Sequence, residues 1–324
     1  MRRRMHTVVL FSVLFCASGS QCVQNKWQPL PIFAPQPPRV LAEGASAEQI
    51  IEVINRNSAR VTSYWTNSAT ITVPGAPPLR ASIALEQPRR FRLRAGTRFG
   101  GPEVDLGSND SLFWFWVRRN EQPALYYCRH DQYATTGAWR IMPVPPQWFI
   151  DALGFPHFDV NRWHAGPFRR ADGNFELRSR QPSPAGDLLR ITVVDAARGW
   201  VLEQHLFGVD GALLARAIAD RYQHDRPTGV WLPTRVRIQI VPAQISLLVE
   251  LRETLINQPA GDPRELWAKP NYTGYAEVDL ARATGGFPAP PAAARPQRPA
   301  DAPAPRRLSR LPSIGAGLLA QPVR

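Results

Sequence analysis

The amino-acid pattern predicts a mainly β (α+β) fold: a single antiparallel sheet of about ten strands, strongly curled or nearly closed, with a helix packed against it. Three features point there. Short segments alternate apolar and polar residues with period two, and Gly, Pro, Asn and Asp cluster between them. A capped amphipathic helix precedes them. Finally, residues 111–117 (SLFWFWV) are apolar on both sides of the pleat, with Phe113, Phe115 and Val117 on one side and Leu112, Trp114 and Trp116 on the other. Such a strand demands cover on both faces, from a second layer or from a bound apolar ligand.

In chain order, residues 1–22 read as a secretory leader. Arg2, Arg3 and Arg4 form the charged start, residues 7–15 the apolar run and residues 17–20 the small-residue exit. The run is too short to span a bilayer comfortably. Two outcomes are open at its end: cleavage before Ser20 releases a soluble exported protein, whereas cleavage before Cys22 leaves a lipid-anchored one. Gln21 makes a poor lipobox. Residues 23–44, Pro-rich from Trp27 onward, read as an extended linker.

The folded domain is expected over residues 45–285. Its best helix covers residues 46–61: Ser46 caps it, Gln49 closes a capping box, and Ile50, Ile51, Val53, Ile54 and Val61 form one apolar face. A short helix is expected over residues 146–153, with Gly154 as its stop, and Asp262-Pro263 opens one more turn ending before Pro270. Strand alternation marks residues 69–73, 82–86, 90–94, 103–106, 174–178, 189–193, 235–240 and 245–251, besides the two segments within residues 103–128. Residues 286–324 hold nine prolines, many alanines and no sustained periodicity, so they are expected to be disordered.

The net charge of +13 on 324 residues invites a nucleic-acid reading, but it is unevenly placed. The three leader arginines and the net +5 of the tail leave about +5 on the body, and 37 Arg against 2 Lys is a compositional habit more than a binding stripe. Nucleic acid is therefore not the expected partner. Three cysteines, only one of them (Cys128) inside the domain, make no disulfide framework, so stability must come from a core.

No phosphate-binding loop, dinucleotide fingerprint, nucleophile elbow or HExxH pair is present. Alternation puts Cys128 and His130 on one strand face, where a buried filler is the simpler reading than a reactive pair. His157, His164 and His205 with Asp159 lack metal-site spacing. Glu103 and Asp105 alternate with Val104 and Leu106 and read as a solvated strand face. The expectation is thus a non-enzyme with no metal and no cofactor. The functional candidates are apolar: Ile50, Ile51 and Ile54 on the helix, Phe113, Trp114, Phe115 and Trp116 on the strand, and Trp148. They are expected to line a cavity, with the helix resting across residues 111–117 as a lid.

The leading helix, the stretch of residues 79–93 containing Gln87-Pro88 and then Phe91-Arg92-Leu93, the VDLGSNDSLFWFWV hairpin and Gly229-Val-Trp-Leu-Pro233 with the strand after it resemble, in that order, exported proteins of the LolA-like superfamily. The likeness spans residues 46–257. It implies an unclosed antiparallel barrel whose concave, helix-lidded face holds a lipid, an acyl chain or a lipoprotein. It also implies residence in the periplasm or cell envelope, with the envelope membrane as partner, and a monomer. The length of the chain, Cys22 and the tail depart from a free carrier. The alternative is a structural envelope protein with a packed barrel and no ligand, and a hydrolase stands third.

Overall fold

The computed structural model describes residues 37–283 apart from residues 99, 120 and 121. The expected leader, Cys22, most of the linker and the tail from residue 286 lie outside the described residues.

Two antiparallel meanders are fused into one sheet of fifteen strands. The first runs β1 (Ser63–Thr72), β2 (Leu79–Glu86), β3 (Arg90–Thr97), β4 (Gly101–Ser108), β5 (Leu112–Val117) and β6 (Ala124–Arg129). The second runs β7 (His164–Arg169), β8 (Phe175–Ser183), β9 (Gly186–Val194), β10 (Val201–Phe207), β11 (Leu213–Asp225), β12 (Val230–Ile240) and β13 (Ile245–Glu250). They join where β1 pairs with β13, Ile71 opposite Val249. A short β14 (Leu255–Ile256) also pairs with β1. At the far edge β15 (Ala276–Asp279) adds to β6 in parallel, an exception to the expected antiparallel sheet. The sheet therefore ends at β15 and β7, and no pairing joins those two among the described residues.

The strand count corrects the expectation of about ten, because β7, β10, β11, β14 and β15 carry weak local signals. Inside β11 the buried face is built from Ala215 and Ala217, which have little strand propensity. Gly166 and Pro167 interrupt β7. Both β14 and β15 are too short for a period to show.

Helix α1 (Ala47–Ala59) begins as read: Gln49 N donates to Ser46 Oγ at 3.3 Å, and Ser46 N donates to Gln49 Oε1 at 2.9 Å. Ahead of it Leu41 and Ala45 are buried against the same cluster as its apolar face, and Val40 N bonds Ala197 O at 2.7 Å, so the last part of the expected linker is docked on the fold. The connection from β6 to β7 carries α2 (His130–Tyr133), α3 (Ala138–Ile141) and α4 (Gln147–Ala152). Because β6 lies near one end of the sheet and β7 at the other, this connection spans the sheet, and α4 within it shares one buried cluster with side chains of β2, β3, β11 and β12, so the face it packs on is the concave one. After β14, α5 (Pro263–Leu266) starts at Asp262, whose side chain accepts from Arg264 N.

Candidate functional site

Alternation decides which side chains meet on the concave side. Ile83 and Leu85 on β2, Phe91 and Leu93 on β3, and Val236, Ile238 and Ile240 on β12 share one buried cluster with Trp148, Ile150, Leu153 and Phe155 from α4 and its flanks. At Gly154 (φ 106°) the chain turns after α4 in a conformation that a side chain would strain, and a Cβ there would lie 2.5 Å from the Pro233 ring. The concave face and its α4 cover thus form one apolar body, in which Tyr64 Oη and Trp148 Nε1 are buried without a hydrogen-bond partner. Burial pushes the Tyr64 hydroxyl far above its ordinary range.

One polar lock lies beneath α4. Asp151 accepts from Arg190 Nη1 at 2.9 Å, Arg190 also donates to Gln204 Oε1, and Gln204 Nε2 donates to the Asp151 carbonyl at 2.8 Å. All three residues are buried. Burial pushes the Asp151 carboxyl up, and the Arg190 charge opposes that rise. Arg190 also stacks over the Phe158 ring at 4.5 Å. No motif announced these residues. The parity of β9 was the available signal: its interior face is Leu188, Arg190, Thr192 and Val194, while Leu189 and Ile191 are only half-buried on the outer face.

The sequence candidates are distributed among separate clusters. Ile50, Ile51 and Ile54 pack on Phe175 and Leu177 of β8, Val194 of β9 and Phe158. Helix α1 therefore rests at the β8–β9 end, not across residues 111–117, and Asn55 clamps it there by bonds to Phe158 N (2.9 Å) and O (2.7 Å). Phe113 and Phe115 lie with Tyr126, Cys128, Ile141 and Met142. Trp114 and Trp116 point to the outer face. Of the eight candidates, only Trp148 belongs to the large concave cluster.

Both faces of β5 are indeed covered, and the chain itself supplies the cover. On the outer side Tyr272 stacks on Trp116 at 4.1 Å, with Tyr275 edge-on at 5.2 Å. Asp105, expected to be solvated, is instead fully buried there. It accepts from Arg92 Nη2 (2.6 Å), Tyr272 Oη (2.6 Å) and Trp114 Nε1 (3.2 Å). Arg92 further donates to the carbonyls of Ala268 (2.6 Å) and Leu266 (3.2 Å), which ties down the segment after α5. Glu103 is buried as well and pairs with Arg119 at 3.2 Å. The solvated-face reading fails because the covering segment lies about 160 positions downstream, beyond the reach of any local pattern.

Reactive chemistry finds little support in the geometry. Burial pushes the Cys128 thiol up to about 11, and its Sγ lies 3.3 Å from the Arg129 carbonyl. The His130 ring, at the start of α2, contacts the Asn109 carbonyl at 2.9 Å and Ser108 Oγ at 3.3 Å. His164 sits on Ser179 and the Asp159 carbonyl, and His205 on Glu203. Among the described residues no group of three or more His, Cys, Asp or Glu could hold a metal ion, and no helix is long and apolar enough to cross a membrane.

The chain is similar to several solved structures. A LolA superfamily protein from Nitrosomonas europaea is 12% identical, the match covering 69% of this chain and 98% of that one, with a TM-score of 0.45. An outer membrane lipoprotein-sorting protein domain from Vibrio parahaemolyticus is 10% identical over 68% of this chain and 97% of that one, with a TM-score of 0.44. A DUF1329 family protein from Desulfovibrio piger is 9% identical over 68% and 98%, with a TM-score of 0.45. The chain matches no protein-family model and no curated protein.

Proposed function

We propose that this is an exported, non-catalytic cell-envelope protein that holds a lipid, an acyl chain or the acylated end of a lipoprotein against its concave face, with α4 as the displaceable cover. The observation that carries the reading is how α4 is held. Its six residues belong to a connection that crosses the sheet, and they meet it through apolar packing and the Asp151–Arg190–Gln204 lock. Replacing the Trp148 and Leu153 side chains by an acyl chain exchanges apolar surface for apolar surface, so little hydrophobic free energy is lost. A buried ion pair contributes little net stability, so the lock sets the position of α4 more than it glues it. A ligand carbonyl or hydroxyl could also satisfy Tyr64 Oη or Trp148 Nε1, each costing about 1–3 kcal/mol unpaired. The leader supports export, and Cys22 offers an anchor.

A second reading has its own support: the concave side chains pack directly on α4, as a ligand-free envelope scaffold requires. Titration with a fluorescent fatty-acyl probe separates the two, together with mass spectrometry of solvent extracts of the purified protein. Saturable probe binding is expected. Asp151→Asn, which unlocks α4, should tighten or speed uptake with the β-sheet circular dichroism unchanged. If neither protein takes up the probe and the extracts hold no lipid, the scaffold reading replaces the carrier-like one.

A further inference from the structure

We infer that the outer face of the middle strands, from β3 across β2, β1, β13 and β12 to β11, is a docking surface for the phosphate headgroups of an anionic membrane. This does not depend on the concave face taking a ligand. Strand pairing sets out the charges. Arg94 lies opposite Ser82, Arg80 opposite Thr70, Thr70 opposite Glu250, and Glu250 opposite Arg235. Arg237 and Arg216 follow on the same face, since their neighbours Val236, Ile238, Ala215 and Ala217 point into the concave core.

With Arg221 in β11 and Arg252 just beyond β13, seven arginines share this region with three carboxylates, Asp220, Glu250 and Glu253. Two of the arginines are ion-paired: Arg235 lies 3.8 Å from Asp220 and 4.0 Å from Glu250, and Arg94 lies 3.6 Å from Asp105. Arg90, at the far end of β3, is occupied by Glu86 and Asp110. Arg80, Arg216, Arg237 and Arg252 make no side-chain ion pair or hydrogen bond among the described residues.

The relief of the face suits small anionic groups. A depression of about 310 Å³ is lined by Arg80, Arg94, Ser82 and Asn67 with no carboxylate, and one of about 280 Å³ by Arg221, Arg235 and Arg252 together with Glu250 and Glu253, so the first is the better phosphate seat. In the first, Gly96 lies opposite Arg80 and lets the Gly101 backbone approach closely, since a Cβ there would meet Gly101 O at 2.3 Å. Guanidinium groups pair with phosphate through two parallel hydrogen bonds, and several on one sheet face can engage several headgroups at once. Base-stacking aromatics, which a nucleic-acid surface uses, do not line either depression. The charge excess is the complement of an anionic leaflet.

Vesicle co-sedimentation tests the proposal on the full chain carrying Cys22→Ala, so that no acyl anchor holds the protein. Binding to phosphatidylglycerol-containing vesicles is expected, with little to pure phosphatidylcholine and loss in high salt. Each arginine near an anionic surface contributes about fivefold in partition, so Arg80→Gln/Arg216→Gln/Arg237→Gln should weaken binding on the order of a hundredfold. The thermal midpoint should not move. A tail control, Arg306→Gln/Arg307→Gln/Arg310→Gln, should leave most of the binding. No vesicle binding by the starting protein, or release by the tail variant but not the face variant, overturns the proposal. Loss of oligonucleotide binding without loss of vesicle binding in the face variant would assign the surface to nucleic acid instead.

Discussion

The two meanders use the same strand geometry and dispose of their outer faces in opposite ways. In β4 to β6 the outer side chains Asp105, Trp114, Trp116 and Leu125 are buried under the segment after α5. In β11 and β12 the outer positions Arg216, Arg237 and Gln239 face outward with no described segment over them. The difference is written in the strands. Thus β12 alternates strictly, Val236, Ile238 and Ile240 inward against Arg237 and Gln239 outward, whereas β5 is apolar on both sides. Loss of alternation reports a second cover. It does not say whether protein or ligand supplies that cover, and for β5 the chain supplies it.

Breaking the covered side should have the largest effect. Asp105→Ala strips Arg92 of its carboxylate inside the covered face, and leaving such a charge uncompensated costs about 3–5 kcal/mol. Urea unfolding should register it as a lower midpoint, and a change under about 1 kcal/mol would mean that water reaches Arg92. Tyr272→Phe keeps the ring on Trp116 and removes only the bond to Asp105. The expected loss is about 1.5–3 kcal/mol, that of a hydrogen bond to a charged group. Burial first, and then that bond, hold the Tyr272 hydroxyl well above its ordinary range, so the phenol should resist ionisation in an alkaline absorbance titration until the segment detaches.

The bare meander should respond least. Arg237→Gln is expected to shift stability by under about 0.5 kcal/mol, since the side chain is exposed and unpaired. A loss comparable to that of Tyr272→Phe would show that this face is covered after all, and the contrast between the meanders would collapse. Cys128, buried beneath the covered half, sharpens the same contrast. With its thiol pushed up to about 11 it should be overwhelmingly protonated at pH 8, and alkylation by iodoacetamide should proceed only as fast as the half opens.

Much of the fold was legible where the information is local. The capping box of α1, the Gly154 stop, the Asp262-Pro263 turn and the strict alternation of β2, β3 and β12 each depend on residues a few positions apart, and the structure keeps all of them. The double-sided demand of β5 was legible too. The candidate site was legible only in part. Trp148 falls in the concave cluster, but Ile50, Ile51 and Ile54 serve the β8–β9 end and the four β5 aromatics are divided between two other clusters.

By itself, then, the sequence determined the strand and helix types, the turns and which strands need cover, because hydrogen-bonding period and side-chain parity are properties of neighbours. Only the tertiary structure decided who covers whom. Tyr272 reaches Asp105 across 167 positions, and Asn55 clamps Phe158 across 103. It also decided the parity of β9, where Arg190 faces inward because Asp151 and Gln204 are there to pair with it. Such choices follow from burial and from the need to satisfy buried charges, and neither is fixed until distant segments meet.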